Sequence, residues 1–450
     1  MKDNLFELEK RHIWHPCSQM SDYDEYPAIH IIKGSGVWLE TIDGRKILDA
    51  ISSWWVNLFG HCNSYIAEKI SEQTKILEHV IFANYTHTPA ILLAKRLSSL
   101  FEGRLPRVFY ADNGSSAIEV AIKMSYHYWY NNNKKEKNLF GYVTGAYHGE
   151  TLGALSVGDL DLYKKTYSSL LIKAIQLPGP DCFRCSYNLN RDTCNAECFE
   201  KTKDLLNKNK KKLSGVIIEP IVQAANGMSI YSPIFLKKLR EWTKINDVHL
   251  ICDEIASGFG RTGKMMASHH ANIVPDFVTV SKGLTGGFLP LSAVLTTEEI
   301  YKAFYASYVE RKAFLHSHSY TGNPLACTAG CAVFDIFEKE NILEMVNKKG
   351  KIIYDKVLDL LEYKYVGEIR KIGMIVAIEL VKDREKKIPF DWKERIGYKI
   401  YREAEKNGVL LRNLGDVIYF MPPYVINEDE IEFMTSVAKN AICKILDSVN

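Results

Sequence analysis

The chain has 450 residues, of which 46% are hydrophobic and 25% are charged, a composition typical of a soluble globular enzyme. A chain of this length ordinarily folds into about two or three domains. The net charge is only +3, which excludes a uniformly basic surface for nucleic acid. The first ten residues carry charges throughout, and no apolar run approaches the length of a membrane span. We therefore expect a cytoplasmic protein with neither nucleic-acid nor membrane partners.

The first strong motif along the chain is a glycine-containing turn before a helix. A strand ends at Val108–Tyr110, and the amphipathic segment 117–129 predicts the helix that follows. Ser116 and Glu119 have the spacing of a capping box, and Gly114 allows a ligand to approach the backbone closely. Since the free amides of a first helical turn attract anions, this turn is a candidate phosphate site. An ordinary helix cap is the alternative interpretation.

Four of the ten cysteines form one local array, whereas the others are scattered. The array is a CxxC pair followed by a CxxxC pair: Cys182, Cys185, Cys194 and Cys198. Four thiolates are able to enclose a zinc ion, but the irregular spacing equally fits disulfides or free thiols on a surface excursion. All three interpretations stay open. The lysines between 201 and 212 are interpreted as a solvated helix face, because no aromatic residues interleave them.

Short β-branched runs alternate with helical patterns in the middle of the chain. The runs 216–218, 249–252 and 277–280 have the character of buried strands, and the segment 235–242 has helical spacing. This alternation predicts a parallel α/β sheet, in which functional residues gather at the carboxyl ends of the strands. Each of the three runs is followed by a polar residue, and these residues are Glu219, Asp253 and Lys282.

The segment Gly258–Met265 resembles two kinds of phosphate-binding loop but fits neither. As a GxGxxG motif it has no helical pattern directly behind it. As a P-loop it ends in Met265, where a hydroxyl group must reach a magnesium ion. We interpret the segment as a tight glycine turn after a strand.

The last third of the chain predicts a smaller α+β unit that begins near residue 331. Residues 373–380 and 417–420 have strand character, and a terminal helix begins after Asn427, which has the spacing of a capping box with Glu430. One face of that helix is apolar and carries Ile431, Phe433, Met434, Val437, Ala438, Ile442 and Leu446.

Asp253 and Lys282 together indicate a cofactor. Pyridoxal phosphate requires a lysine that bonds its aldehyde, a carboxylate that keeps its pyridine nitrogen protonated, and an anion site for its phosphate. Lys282, Asp253 and the turn at 113–116 supply these three groups, and the glycines after Lys282 leave its side chain unobstructed. A lone lysine after a strand would ordinarily be a surface residue or an ion-pair partner. In this context the residues predict a pyridoxal-phosphate enzyme.

From about residue 12 to residue 424 the sequence resembles the class III aminotransferases. The most specific motif is Cys252–Lys264, followed by Ser281–Gly287. The resemblance implies the type I pyridoxal-phosphate transferase fold, an α/β architecture with a mostly parallel central sheet in a large domain and a smaller α+β domain. It implies an N-terminal segment, 1–60, that joins the small domain and lines the active site. A large cofactor-binding domain, 61–330, and a C-terminal small domain, 331–450, would follow.

The resemblance also implies roles for individual residues. Lys282 would carry the cofactor, Asp253 would bind its ring nitrogen, and Tyr147 would stack on its ring; these are the catalytic residues implied. The implied cofactor-binding set is Asn113, Gly114, Ser115, Tyr147, Asp253, Lys282, His318 and Ser319. Ser319 would reach the phosphate of a neighbouring subunit, so the expected unit is a homodimer with shared active sites.

Within this class, several motifs are similar to those of the branch that converts 8-amino-7-oxononanoate to 7,8-diaminononanoate in biotin synthesis. These motifs are Ile13–Pro16, Ser52–Trp55, Lys123–Trp129 and Phe420–Tyr424. A flat apolar wall of two tryptophans suits an aliphatic keto acid, and an arginine fork suits its carboxylate. The implied substrate-binding set is Cys17, Trp54, Trp55, Tyr147, Lys282, Ser317 and Arg412.

The amino donor stays open between two small molecules. The branch ordinarily uses S-adenosylmethionine, which the tryptophan pair favours, and we expect this donor in a ping-pong reaction. The segments 19–25, 318–323 and 395–399 instead resemble members that use L-lysine, and Cys17 stands where the branch usually has an aromatic residue.

Two alternatives for the function of the whole protein stay open. One is another aminotransferase of the class, acting on ω-amino acids, diamines or acetylornithine. The other is a non-catalytic interaction protein with a zinc-held docking module.

Overall fold

The computed structural model describes residues 2–449. The strands are β1 Ile31–Ser35, β2 Trp38–Thr41, β3 Lys46–Asp49, β4 Arg107–Ala111, β5 Leu139–Val143, β6 Ala174–Leu177, β7 Leu213–Ile218, β8 Val222–Gln223, β9 Ser229–Ile230, β10 His249–Asp253, β11 Phe277–Val280, β12 Ser292–Thr296, β13 Val366–Ile372, β14 Ile375–Leu380, β15 Val409–Leu410, β16 Asn413–Leu414 and β17 Val417–Phe420. The helices are α1 Lys2–His12, α2 Asp22–Glu25, α3 Ser52–Trp55, α4 Ser64–Thr74, α5 Thr88–Ser99, α6 Gly114–Asn131, α7 Leu152–Ser156, α8 Asp161–Lys164, α9 Phe199–Asn209, α10 Pro233–Ile245, α11 Glu298–Lys302, α12 Pro324–Lys339, α13 Ile342–Val357, α14 Ile396–Lys406 and α15 Glu428–Asp447. Short 3-10 helices lie at Lys165–Leu170, Ala267–His270, Lys282–Thr285, Tyr308–Glu310, Leu358–Glu362 and Trp392–Glu394.

A seven-stranded sheet forms the core of the central part of the chain, in the order β4-β12-β11-β10-β7-β5-β6. The strands from β11 to β6 pair in parallel, whereas β12 runs antiparallel to both β11 and β4. The five strands β5, β7, β10, β11 and β12 are buried along their whole length. Strands that are covered on both faces consist of continuous apolar runs, which explains the pattern of the sequence. The predicted α/β fold with a mostly parallel central sheet is confirmed.

Two smaller sheets contain the terminal parts of the chain, in the orders β1-β2-β3-β15 and β13-β14-β17-β16. Strand β3 pairs in parallel with β15, and the amide of Leu48 donates to the carbonyl of Gly408 at 2.8 Å. The N-terminal and C-terminal segments are therefore joined in one α+β region. Helix α12 runs across the limit predicted at residue 330, and the limits at 60 and 330 stay predictions.

The terminal helix α15 has the predicted capping box. Asn427 Oδ1 accepts from the Glu430 amide at 2.8 Å, and Glu430 Oε2 accepts from the Asn427 amide at 2.9 Å. The apolar face of this helix lies in the core, except that Phe433 is exposed. No helix within residues 2–449 is both long and apolar enough to cross a membrane.

The predicted cap of α6 is wrong by three residues. Asn113, not Ser116, caps this helix, and its Oδ1 accepts from the Ser116 amide at 3.0 Å. Its extended backbone places its side chain over the first turn, so Ser116 already lies inside the helix. Glu119 accepts instead from the amides of Gly153 and Ala154, and thereby holds the start of α7 against α6.

The segment Gly258–Met265 forms irregular turns after β10, as predicted. Its backbone adopts left-handed conformations at Gly260 and Gly263, where φ is 89° and 84°. These turns direct Arg261 into the core, where its guanidinium donates to the backbone carbonyls of Trp55, Asn57 and Pro422. The segment therefore holds the chain after α3 against the central part of the molecule.

Candidate active site

Three polar side chains lie at the carboxyl ends of adjacent strands in the central sheet. Lys282 follows β11, Asp253 ends β10 and Glu219 follows β7. They line a cavity of about 460 Å³, together with Trp55, Asn113, Gly114, Ser115, Tyr147 and His148. The structure thus brings together the lysine, the carboxylate and the helix-cap turn that the sequence places far apart.

The Asp253 carboxylate is buried and held by protein groups. Oδ2 lies 2.7 Å from Nδ1 of His148, and Oδ1 accepts from the amide of Ile255 at 3.0 Å. His148 is also buried, and Nε2 of its ring has no hydrogen-bond partner among residues 2–449. Because residues 148 and 253 lie 105 positions apart, only the fold reveals this pair. The pair fixes the carboxylate in one orientation at the edge of the cavity.

Lys282 follows β11, the strand next to β10, which carries Asp253. Its backbone is left-handed, with φ of 43°, at the first residue of a 3-10 helix. Its Nζ lies 4.7 Å from the centre of the Trp55 ring. Burial lowers the pKa of the Lys282 amine, and the nearby carboxylates of Asp253 and Glu219 oppose this shift. A larger share of the amine is therefore neutral than in a solvated lysine.

The start of helix α6 forms the part of the cavity that suits an anion. Asn113 caps the helix, and the next two residues, Gly114 and Ser115, also line the cavity. A Cβ atom added at Gly114 would lie 3.1 Å from the side chain of Ile255, so glycine keeps this corner open. The positive end of an 18-residue helix points at the opening, and its first amides are available to a phosphate.

Tyr147 donates hydrogen bonds to two carboxylates, those of Glu219 and Glu150. Its amide donates to Glu219 Oε2 at 3.1 Å, and its hydroxyl donates to Glu150 Oε1 at 2.9 Å. Burial and the Glu150 carboxylate both raise the pKa of the Tyr147 hydroxyl. Burial raises the pKa of Glu219 to about 7, although the amides of Tyr147 and Ala224 donate to it. The sequence places Glu219 at a strand end, but its pattern indicates no role for this residue.

Trp54 and Trp55, which the sequence predicts to bind substrate, lie on a strained turn, α3. The backbone is left-handed at each of its four residues, with φ between 44° and 72°. None of these residues is glycine, and such strain concentrates at functional sites. Trp55 is buried, and its Nε1 donates to the Tyr419 hydroxyl at 2.9 Å. Trp54 is 39% exposed, and the Arg412 guanidinium lies 3.7 Å from the centre of its ring.

Cys17 and Arg412 line a second cavity of about 1810 Å³, together with Tyr163. Arg412 Nη2 and the Tyr163 hydroxyl each lie 3.6 Å from the Cys17 sulfur. The rings of Tyr163 and Tyr147 have centres 5.6 Å apart, so this cavity and the Lys282 cavity share a wall. Tyr163 carries no signal in the sequence, because its position beside Cys17 follows only from the fold.

Ser317 and Ser319 are exposed, and neither lines the two cavities of its own chain. His318 is half-buried, and its Nδ1 lies 3.3 Å from Asp112 Oδ2, next to the cap of α6. The structure therefore brings His318 near the helix-cap turn but leaves the two serines outside.

The cysteine array lies on a partly buried excursion between β6 and α9. The four thiols are unpaired, and no group of three or more metal-ligating side chains in residues 2–449 could hold an ion. Burial and the neighbouring cysteines raise the pKa of Cys182 to about 12 and of Cys198 to about 11. The role of the array stays a prediction of the sequence.

The cavity has the features that pyridoxal phosphate needs. It contains an amine, a fixed buried carboxylate and a helix N-terminus with an open glycine corner. The unpartnered Nε2 of His148 behind the carboxylate is a further buried polar group of this site. The donor set is that of an organic phosphate with a basic ring nitrogen, and the residues fit the cofactor.

Comparisons with known proteins agree with this chemistry. The sequence model of the family "Aminotransferase class-III" matches residues 19–442. The adenosylmethionine-8-amino-7-oxononanoate aminotransferase of Helicobacter pylori is 44% identical over 96% of each chain, and that of Geobacter sulfurreducens is 42% identical over 97% of each. The crystal structure of the Methanocaldococcus jannaschii enzyme of the same name has a TM-score of 0.93 at 38% identity and covers 99% of both chains.

An amine transaminase from an uncultivated Pseudomonas species, solved with pyridoxal phosphate bound, is 30% identical with a TM-score of 0.91. It covers 96% of this chain and 99% of its own. The likeness in sequence and in structure extends over nearly the whole chain. The protein belongs to the class III aminotransferases.

Proposed function

We propose that the protein transfers an amino group from S-adenosylmethionine to 8-amino-7-oxononanoate, the reaction named for the Helicobacter, Geobacter and Methanocaldococcus relatives. The product would be 7,8-diaminononanoate, a step of biotin synthesis. The observation that carries the proposal is the convergence of Lys282 and Asp253 in one cavity, with Arg412 and the tryptophans beside it. Donor and acceptor would bind this site in turn, as in a ping-pong reaction.

Pyridoxal phosphate is the cofactor of this reaction. When bound, it supplies an aldehyde for the amine substrate and a conjugated ring that accepts negative charge from the substrate carbon. The helix-cap turn of Asn113, Gly114 and Ser115 would hold its phosphate. Asp253 would keep a proton on its ring nitrogen, and the buried His148 would keep the Asp253 carboxylate in place.

Lys282 would both bond the cofactor and move the substrate proton. Lys282 follows the carboxyl end of β11, and burial lowers the pKa of its amine. Once the donor amine has displaced it from the cofactor, the neutral Lys282 amine would accept a proton from the substrate carbon that bears nitrogen, and would return it to the former aldehyde carbon of the cofactor on the other side of that nitrogen. The Tyr147 ring lies in the same cavity wall and would stack on the cofactor ring. These three residues, Lys282, Asp253 and Tyr147, would be the catalytic ones.

The substrate's aliphatic chain would lie on Trp54 and Trp55. Arg412 lies against the outer tryptophan, so its guanidinium would receive the carboxylate at the far end of the chain. Cys17 would complete this part of the site. Ser317 lines neither cavity of its own chain, so it would contribute only from a second copy of the chain.

The site would be completed by a second copy of the chain. Ser319 of the partner subunit would reach the phosphate, and the surrounding segment supports this arrangement because it presents apolar side chains to the surface. Tyr308 is 97% exposed, Val309 83% and Leu315 91%. A large exposed apolar surface is typical of an interface. The cytoplasmic location stays a prediction of the sequence.

L-lysine is a second candidate donor, which one contact favours. Two of the three segments that resemble lysine-using members, 19–25 and 395–399, meet in a paired ion contact between Arg395 and Asp22, with Arg395 Nη1 2.9 Å from Asp22 Oδ1. This contact holds the chain after Cys17 over the larger cavity.

The test is spectroscopic and uses the yellow holoenzyme. S-adenosylmethionine should convert the cofactor to its amino form, and 8-amino-7-oxononanoate should then restore the original spectrum. Conversion by L-lysine alone would assign the second donor. Conversion only by 4-aminobutyrate, diamines or acetylornithine would contradict the proposed acceptor.

A further inference from the structure

Two hydrogen-bond donors converge on one poor acceptor at the wall of the larger cavity. Arg412 Nη2 and the Tyr163 hydroxyl each lie 3.6 Å from the sulfur of Cys17. A thiol sulfur accepts hydrogen bonds only weakly. Both donors therefore retain most of their capacity for a stronger acceptor in the same place.

The two donors are held in position by aromatic neighbours. The Arg412 guanidinium lies on the Trp54 ring, 3.7 Å from its centre. The Tyr163 ring packs near the Tyr147 ring, with centres 5.6 Å apart. Because their directions are fixed before a ligand binds, little entropy is lost when both donate to the same group.

The protonation states of the two donors suit an anion. Burial raises the pKa of the Tyr163 hydroxyl to about 12, so the hydroxyl keeps its proton at neutral pH. The guanidinium is always charged. Glu150, an acid that acts on Tyr163, already accepts from the Tyr147 hydroxyl at 2.9 Å.

Cys17 leaves room for a ligand at this point. Related enzymes have an aromatic residue at the corresponding position, as the resemblance implies, whereas cysteine is much shorter. The backbone at Cys17 is left-handed, with φ of 52°, which turns this short side chain toward the two donors. A carboxylate oxygen of a ligand, placed between Arg412 and Tyr163, would accept hydrogen bonds from both side chains.

We propose that Tyr163 and Arg412 together form the seat for the carboxylate of the keto acid, and that Tyr163 is a specificity-determining residue of this chain. The proposal rests on the proposed function, since it assigns the far end of the same substrate.

The experiment measures binding of two matched probes to the holoenzyme by calorimetry. Octanoate carries the carboxylate on an aliphatic chain, and octanamide has the same length without the charge. Wild type should bind octanoate about 100-fold more tightly than octanamide, as expected for two hydrogen bonds to a charged group. Tyr163→Phe should weaken octanoate about tenfold and change octanamide less than twofold.

A matched control and a double variant complete the test. Tyr167 lies four residues further along and is 49% exposed, and Tyr167→Phe should change neither affinity. In an Arg412→Gln background, Tyr163→Phe should have a smaller effect than alone, because one carboxylate couples the two residues. Equal loss of both probes, additive effects, or no octanoate binding by wild type would each overturn the proposal. Binding needs no turnover, so a failure of the acceptor assay would bear on the proposed function alone.

Discussion

The replacement Asp253→Asn tests the role proposed for the buried carboxylate. Asparagine has nearly the same shape, so its side-chain oxygen can still accept from the Ile255 amide, as Oδ1 does at 3.0 Å. What is lost is the negative charge that faces the cavity and that His148 holds from behind at 2.7 Å. The fold should therefore persist, while the ring nitrogen of the cofactor loses the partner that keeps it protonated.

The expected size of the effect follows from the burial of the pair that Asp253 would form with the protonated ring nitrogen of the cofactor. Removal of one partner from a buried charged pair costs about 3 to 5 kcal/mol. If the transition state carries most of this cost, kcat for the donor half-reaction falls roughly 10²- to 10³-fold, since about 1.4 kcal/mol corresponds to tenfold. The KM of the donor should change far less, because Asp253 does not contact the substrate chain.

Stopped-flow absorbance of the cofactor measures this half-reaction directly. The matched control is Asp276→Asn at the start of β11, where the carboxylate pairs with Arg240 at 2.7 Å and lines neither cavity. This control should retain kcat within about threefold, as expected for a change that leaves the cavity intact. If Asp253→Asn stays within fivefold of wild type, the charge at this position does not serve the reaction.

Three further predictions concern the same cavity. Lys282→Ala should abolish both turnover and the spectral change with donor, and turnover above background would contradict the assignment of the lysine. Gly114→Ala should weaken cofactor affinity about tenfold, because the new methyl group meets Ile255 at 3.1 Å beside the helix N-terminus. Fluorescence titration of the apoenzyme with the cofactor measures this affinity. An unchanged Kd would contradict the assignment of the helix-cap turn as the phosphate site. Burial raises the pKa of Glu219 from 4.5 to about 7, so the folded state binds this proton more tightly than the unfolded chain. The free energy of unfolding should thus fall by about 3 kcal/mol from pH 4.5 to 7, and Glu219→Gln should remove this fall in urea denaturation; equal pH dependence in both proteins would refute it.

The large features of the fold could be predicted because they rest on local patterns. The runs that became β7, β10 and β11 are continuously apolar, and each is followed by a polar residue. The direction of parallel strands then places Asp253 and Lys282 at one edge of the sheet. The capping box of α15 was equally local, since both partners lie within one turn.

The rest depends on contacts between distant parts of the chain. The side chain of Glu119 has the spacing of a cap, but it binds the amides of α7 across the structure. The pairing of His148 with Asp253 and the contact of Tyr163 with Cys17 have no signal in the sequence, because 105 and 146 residues separate the partners. The left-handed turn at α3 contains no glycine, so local propensity argues against it, and only the surrounding packing imposes it.

The parallel pairing of β3 with β15 has a consequence for synthesis of the chain. Strand β3 ends only three residues before α3, which carries Trp54 and Trp55, yet its partner strand is made about 360 residues later. At 5 to 20 residues per second, the ribosome needs roughly 20 to 70 s to deliver that partner. The edge of β3 that pairs with β15 therefore stays unpaired in the nascent chain during this time. A chain that ends before residue 409 lacks the strand that pairs with β3 next to Trp54 and Trp55.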